Sequence, residues 1–177
     1  MILIGWTQPY DAGQPRGERY RSEEIEIDDA GRMVRERRYR LGGAINVERL
    51  IRYDDMGRKR ETDVRGAGGD LLATWIARYD NVGRLAAETY RNARGEIEVE
   101  DRYDYRPDHV VVKTRGNVAQ WTETYDARGR LRSSRGGYFS GDAVEDMLFE
   151  YDDAGRLAKK TEFSQPGVIG SVTVYEL

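Results

Sequence analysis

The sequence predicts an all-β chain, a repeat meander of antiparallel β-hairpins forming one curved sheet, barrel or half-shell. Three observations predict it. A phrase of the form aromatic-Asp-x-x-Gly-Arg returns at a spacing of about 26 residues. The segments before each phrase alternate apolar and polar residues, the period of a half-buried strand. Glycine clusters punctuate the chain between one repeat and the next.

Residues 1–22, with Pro9, Pro15 and Tyr10-Asp11-Ala12-Gly13, read as an N-terminal cap or degenerate unit. The repeats occupy residues 23–163. The first phrase, Ile27-Asp28-Asp29-Ala30-Gly31-Arg32, has Ile in the aromatic place. Tyr53-Asp54-Asp55-Met56-Gly57-Arg58 and Tyr79-Asp80-Asn81-Val82-Gly83-Arg84 follow. Tyr103-Asp104-Tyr105-Arg106-Pro107-Asp108-His109 stands where a copy is due but lacks the Gly and the Arg, so it reads as a degenerate unit with a different turn. Tyr125-Asp126-Ala127-Arg128-Gly129-Arg130 and Tyr151-Asp152-Asp153-Ala154-Gly155-Arg156 restore the pattern, and residues 164–177 read as a truncated last unit.

The phrase makes a turn for a physical reason. Asp at the first position of a type I turn accepts a hydrogen bond from a backbone amide two residues on. Gly three positions later takes the left-handed conformation without a Cβ clash. Together they form the three-residue hairpin loop with a bulge. The incoming strands show the expected faces: Leu71, Ala73, Trp75, Ala77 and Tyr79 share one, and Met147, Phe149 and Tyr151 share another. The repeated Tyr residues should form a ladder on a dry apolar face with Trp75 and Trp121. Gly42-Gly43, Gly66-Ala67-Gly68-Gly69, Gly95, Gly116 and Gly136-Gly137 predict a second, looser class of turn, for roughly a dozen strands.

A length of 177 residues suits a single domain, 1–177. Hydrophobic content of 38% is low for a thick core, while charged residues reach 34% at a net charge of only −3. That balance points to a thin structure with much wetted surface rather than to disorder. With no cysteine, disulfide and thiolate chemistry are excluded. The first residues carry no basic segment of the signal-peptide kind and no long apolar stretch occurs, so a cytoplasmic protein without membrane association is expected.

Tyr79-Asp80-Asn81-Val82-Gly83-Arg84-Leu85, Tyr125 to Leu131 and Tyr151 to Leu157 resemble the YD-repeat, or Rhs repeat. The resemblance covers most of residues 25–163. It implies β-sheet built from hairpin repeats, which in large members coils into a shell around a toxic C-terminal domain. A short free-standing chain of this type is similar to immunity proteins built from hairpin repeats. The function implied is binding and neutralising a cognate bacterial toxin domain. A carbohydrate-binding module and a structural shell fragment are the alternatives.

The residue types and their spacing support a non-enzymatic reading with no cofactor and no metal. His109 is the single histidine, and neither a nucleophile elbow nor a phosphate loop is present. Asp54-Asp55 and Asp152-Asp153 are explained by turns rather than by Ca²⁺. Two features mark a candidate partner-binding face. Glu96, Glu98 and Glu100 alternate with Ile97 and Val99, as Glu24, Glu26 and Asp28 do with Ile25 and Ile27, and such rows could steer a basic partner. Tyr138, Phe139 and Asp142 lie in a glycine-bounded loop where aromatics could anchor a partner. Arg32, Arg58, Arg84, Arg130 and Arg156 are expected to pair with the repeated Asp or stack on an aromatic rather than to bind nucleic acid. The partner expected is a protein, with homodimerisation left open.

Overall fold

The computed structural model describes residues 1–12, 14–138, 144–165 and 167–177, the side chains at 138, 144 and 145 excepted. It consists of β1 (Ile2–Asp11), β2 (Gln14–Pro15), β3 (Tyr20–Ile27), β4 (Met33–Tyr39), β5 (Ile45–Tyr53), β6 (Lys59–Gly66), β7 (Leu71–Tyr79), β8 (Leu85–Asn92), β9 (Ile97–Arg106), β10 (Val110–Arg115), β11 (Ala119–Tyr125), β12 (Leu131–Tyr138), β13 (Val144–Tyr151), β14 (Leu157–Gln165) and β15 (Val168–Glu176). From β3 to β15 each strand pairs with its neighbours in sequence, β1 pairs with β3 and β2, and β15 pairs again with β1. The fold is therefore an all-β antiparallel hairpin meander whose pairing is cyclic, the pattern of a β-barrel. Residues 1–22 do more than cap: β1 is one of the longest strands and supplies the pairing that completes the cycle.

Each Asp-x-x-Gly-Arg phrase forms the predicted turn. At the second, the Gly57 amide donates to the Asp54 carbonyl at 2.9 Å and the Asp54 amide donates to the Arg58 carbonyl at 2.8 Å. Gly57 sits at φ +75°, where a Cβ is costly. The Asp54 carboxylate accepts from the Met56 and Arg58 amides and from Arg58 Nε. The same three bonds recur at Asp28, Asp80 and Asp126, and the two from Arg156 recur at Asp152. The expectation of looser turns at the opposite ends is corrected at three places, and Gly136-Gly137 lie within β12 rather than in a turn. The loops at 40–44, 66–70 and 92–96 carry the same pair of backbone bonds, with Gly43, Gly69 and Gly95 left-handed. A glycine at the fourth position suffices for the geometry, and the Asp and Arg add side-chain bonds to it.

The chain forms two compact units, one comprising Met1–Gly5, Arg21–Arg102 and Leu177, the other Trp6–Tyr20 and Tyr103–Glu176. In the first, β-ladder register puts Ile25, Glu36, Arg49 and Val64 on one face and Glu24, Arg37, Glu48 and Arg65 on the other. In the second, Trp121 and Ser134 are buried, and Thr7 meets Thr173 at 2.5 Å between β1 and β15. Lys113 and Arg115 each stand over the Trp121 ring.

The expected dry apolar face is corrected as well. Trp121 is buried, but so are Glu23, Glu36, Asp63, Glu88, Asp101 and Lys160. These charges are tolerated because oppositely charged neighbours, on the same strand or on nearby strands, satisfy them. Glu36 bonds Arg38 at 2.6 Å and Arg49 at 2.7 Å, and Glu88 meets Lys59 at 2.5 Å. Burial alone would raise the Glu36 pKa, yet those two arginines hold it below its ordinary value.

Candidate functional site

The repeated Arg residues have a structural use. The Arg58 guanidinium, held by Asp54, lies 4.6 Å from the centre of the Tyr79 ring one repeat later. The Tyr79 hydroxyl donates to the Lys59 carbonyl at 2.6 Å. Arg32 with Tyr53 and Arg130 with Tyr151 repeat the arrangement, with hydroxyls donating to Met33 and Leu131 carbonyls. Each Asp–Arg–Tyr set thus ties one hairpin to the next. The Asp members are acidified: backbone and side-chain bonds from Arg130 hold Asp126 at about 2.

The acidic row expected to steer a partner has partners of its own. Glu96 and Glu98 are exposed and both accept from Asn92 Nδ2, at 2.9 and 3.0 Å. Glu100 accepts from Arg102 Nε at 2.8 Å and lies 3.9 Å from Arg78, and the Arg102 bond lowers its pKa. In the other row, Glu24 meets Arg37 and Arg21, Glu26 meets Arg35, and Asp28 belongs to its turn. Tyr138 ends β12 opposite Ala119, whereas Phe139 and Asp142 lie outside the described residues. His109 lies in the turn between β9 and β10, where its carbonyl accepts from the Tyr125 amide.

A cross-strand charge ladder runs through the first unit. On one face Arg37 bridges Glu24 and Glu48 at 3.1 and 2.8 Å. Arg52 grips both oxygens of Asp63, each at 2.9 Å, and reaches Glu61 at 2.6 Å. Those bonds, Asp63 foremost, push the Arg52 pKa up. One repeat later, Arg78 stands opposite Ala87 rather than a carboxylate. Sequence reasoning did not single out Arg78. The signal was present: aligned by the repeat, Glu61 and Asp63 correspond to Ala87 and Thr89. Among the described residues, no group of three or more His, Asp or Glu side chains is arranged to hold a metal ion.

No protein-family model matches the chain, and no curated protein matches it in sequence. Among solved structures, a porin-like protein from Bacteroides uniformis ATCC 8492 is similar over 99% of this chain and 95% of its own, at 10% identity and a TM-score of 0.53. That likeness is one of fold. The Photorhabdus luminescens Tc holotoxin pore is similar over 97% of this chain and 11% of its own, at 15% identity and a TM-score of 0.36. TcdB2-TccC3 without its hypervariable C-terminal region is similar over 89% of this chain and 10% of its own, also at 15% identity and a TM-score of 0.36. The chain spans about a tenth of those toxin chains.

Proposed function

We propose that this chain is a non-enzymatic, water-facing β-repeat protein that binds a protein partner, and that the partner is a bacterial toxin domain which it neutralises in the cytoplasm. The observation that carries the water-facing, partner-binding part is the charge on both faces of one sheet. Glu36, Arg38 and Arg49 lie on one face of β4 and β5, and Arg35, Arg37 and Glu48 on the other. A membrane-spanning β-barrel needs one apolar face toward lipid, where each Arg or Lys at mid-depth costs about 2–4 kcal/mol. A sheet charged on both sides belongs in water. No helix among the described residues is long and apolar enough to cross a membrane.

The toxin assignment rests on the repeat resemblance of the sequence. Its geometric support is that Asp, Arg and Tyr of the repeat are engaged with one another in three sets, leaving the ladders between the turns as the surface open to a partner. A carbohydrate-binding reading would draw on open aromatic faces. Trp121 is only 6% exposed, and Arg guanidinia cover the rings of Tyr53, Tyr79 and Tyr151.

The test is protection. The toxin domain recovered with this chain from its native host is expressed in cells with and without it. Growth restored by the chain is the expected result, and growth arrest despite a stable complex would overturn the proposal.

A further inference from the structure

The repeat supplies an internal template for what one part of this surface is built to receive. Arg52 on β5 faces β6, where Glu61 stands directly opposite and Asp63 two residues further. Both carboxylates bind its guanidinium, Asp63 through the two-pronged geometry that suits arginine. The equivalent arginine of the next repeat, Arg78 on β7, faces Ala87 and Thr89 in the same register on β8. Both acids are gone.

A second arginine converges on the same place. Arg102 on β9 stands directly opposite Ala87 from the other side. Arg78, Ala87 and Arg102 therefore form one row across three strands, with the small residue in the middle and only 1% exposed. The two arginine side chains are 69% and 78% exposed. They share one carboxylate, Glu100, which occupies Arg102 Nε and lies 3.9 Å from Arg78. Two guanidinia beside one carboxylate leave a net positive charge and unused donors on either side of the buried Ala87.

We propose that this row is a docking surface for an acidic segment of a partner protein, whose carboxylates take the places at Arg78 and Arg102 that Glu61 and Asp63 take at Arg52. The occupant is an extended chain bearing Glu or Asp on alternate residues, because alternate residues point to one side of a strand. Charge complementarity favours such a segment, and its contribution is to orientation and rate of encounter as well as to affinity.

The inference rests on the partner-binding reading above, and the two can fail separately. The probe is a fluorescein-labelled peptide alternating Glu and Ser, titrated into the full chain at low ionic strength and read by anisotropy. Saturable binding is expected, weakened about tenfold by the Arg78→Gln/Arg102→Gln double variant. The Ala87→Glu/Thr89→Asp double variant restores the chain's own acids. It should weaken the peptide at least as much while keeping a melting temperature no lower than that of the parent, so lost binding is not lost folding. Arg132→Gln, at an exposed arginine on β12, should leave the affinity unchanged.

Equal binding by all variants, no binding by the parent, or equal binding of a Lys–Ser peptide would overturn the proposal. Inorganic phosphate binding as tightly as the peptide would also overturn it, since that marks a bare anion site. If the Ala87→Glu/Thr89→Asp variant loses the peptide but still protects cells from the toxin, this surface is not where the toxin docks and the neutralising function stands. If the parent binds the peptide but gives no protection, the neutralising function falls and the acidic-segment site stands.

Discussion

The hairpin at Asp54–Arg58 and the one at Pro107–His109 do the same job with different chemistry. In the first, glycine takes the left-handed position and Asp54 satisfies two amides and a guanidinium. In the second, Asp108 at φ +60° and His109 at φ +59° take positive φ without being glycine. The difference reaches the next hairpin. The Tyr79 hydroxyl, under the Arg58 guanidinium, donates to a backbone carbonyl, whereas the Tyr125 hydroxyl turns to Glu123 at 2.7 Å. Burial and the Glu123 charge raise the Tyr125 pKa strongly. Gly, Arg, Asp and the following Tyr are thus one device, and losing two members reassigns the rest.

The comparison can be broken in several places. The largest effect is expected at a regular Tyr. Tyr79→Ala removes half-buried ring area, the guanidinium stack and the hydroxyl bond, and should cost about 3 kcal/mol in chemical denaturation. Acid should act next, through all five turn aspartates at once. Asp126 has a folded pKa of about 2 against an ordinary 3.8, so its contribution is fully present above about pH 4 and is lost as pH falls through about 2. Asp28, Asp54, Asp80 and Asp152 are shifted the same way. Melting temperature should therefore fall across that window, and less steeply in Asp126→Asn.

A smaller loss is expected from Gly83→Ala. Gly83 lies at φ +84° with no atom within 4 Å of where the alanine methyl would stand, so only backbone strain acts and the cost is about 1 kcal/mol. The smallest effect has the opposite sign. His109→Gly relieves a positive φ and should raise stability by about 0.5 kcal/mol, the relief being partly offset by glycine's greater freedom in the unfolded chain. A melting temperature lowered by His109→Gly would contradict the strain argument.

The turns were legible because Asp and Gly act locally, and the phrase recurs five times. The matching turns at 40–44, 66–70 and 92–96 were read as loose because they share the glycine of the phrase but not its Asp and Arg, Asn92 standing in for the Asp at the last. β1 was hidden because Ile2-Leu3-Ile4-Gly5-Trp6 is followed by no repeat phrase, and its pairing with β15 is long-range. The dry face was misread for a related reason. Alternation reveals which residues share a face, but it does not reveal that Glu36 will find both Arg38 and Arg49. The acidic row of Glu96, Glu98 and Glu100 is visible in sequence, whereas Asn92, Arg78 and Arg102 beside it depend on strand register. Arg78 itself could have been found by laying one repeat over the next.

The most direct test of the central claim is inhibition in solution. A partner domain that is recovered with this chain and arrests growth when expressed alone is assayed for its own activity while the purified chain is titrated in. The account predicts that activity falls to zero at a one-to-one ratio. Full toxin activity in the presence of excess chain would contradict it.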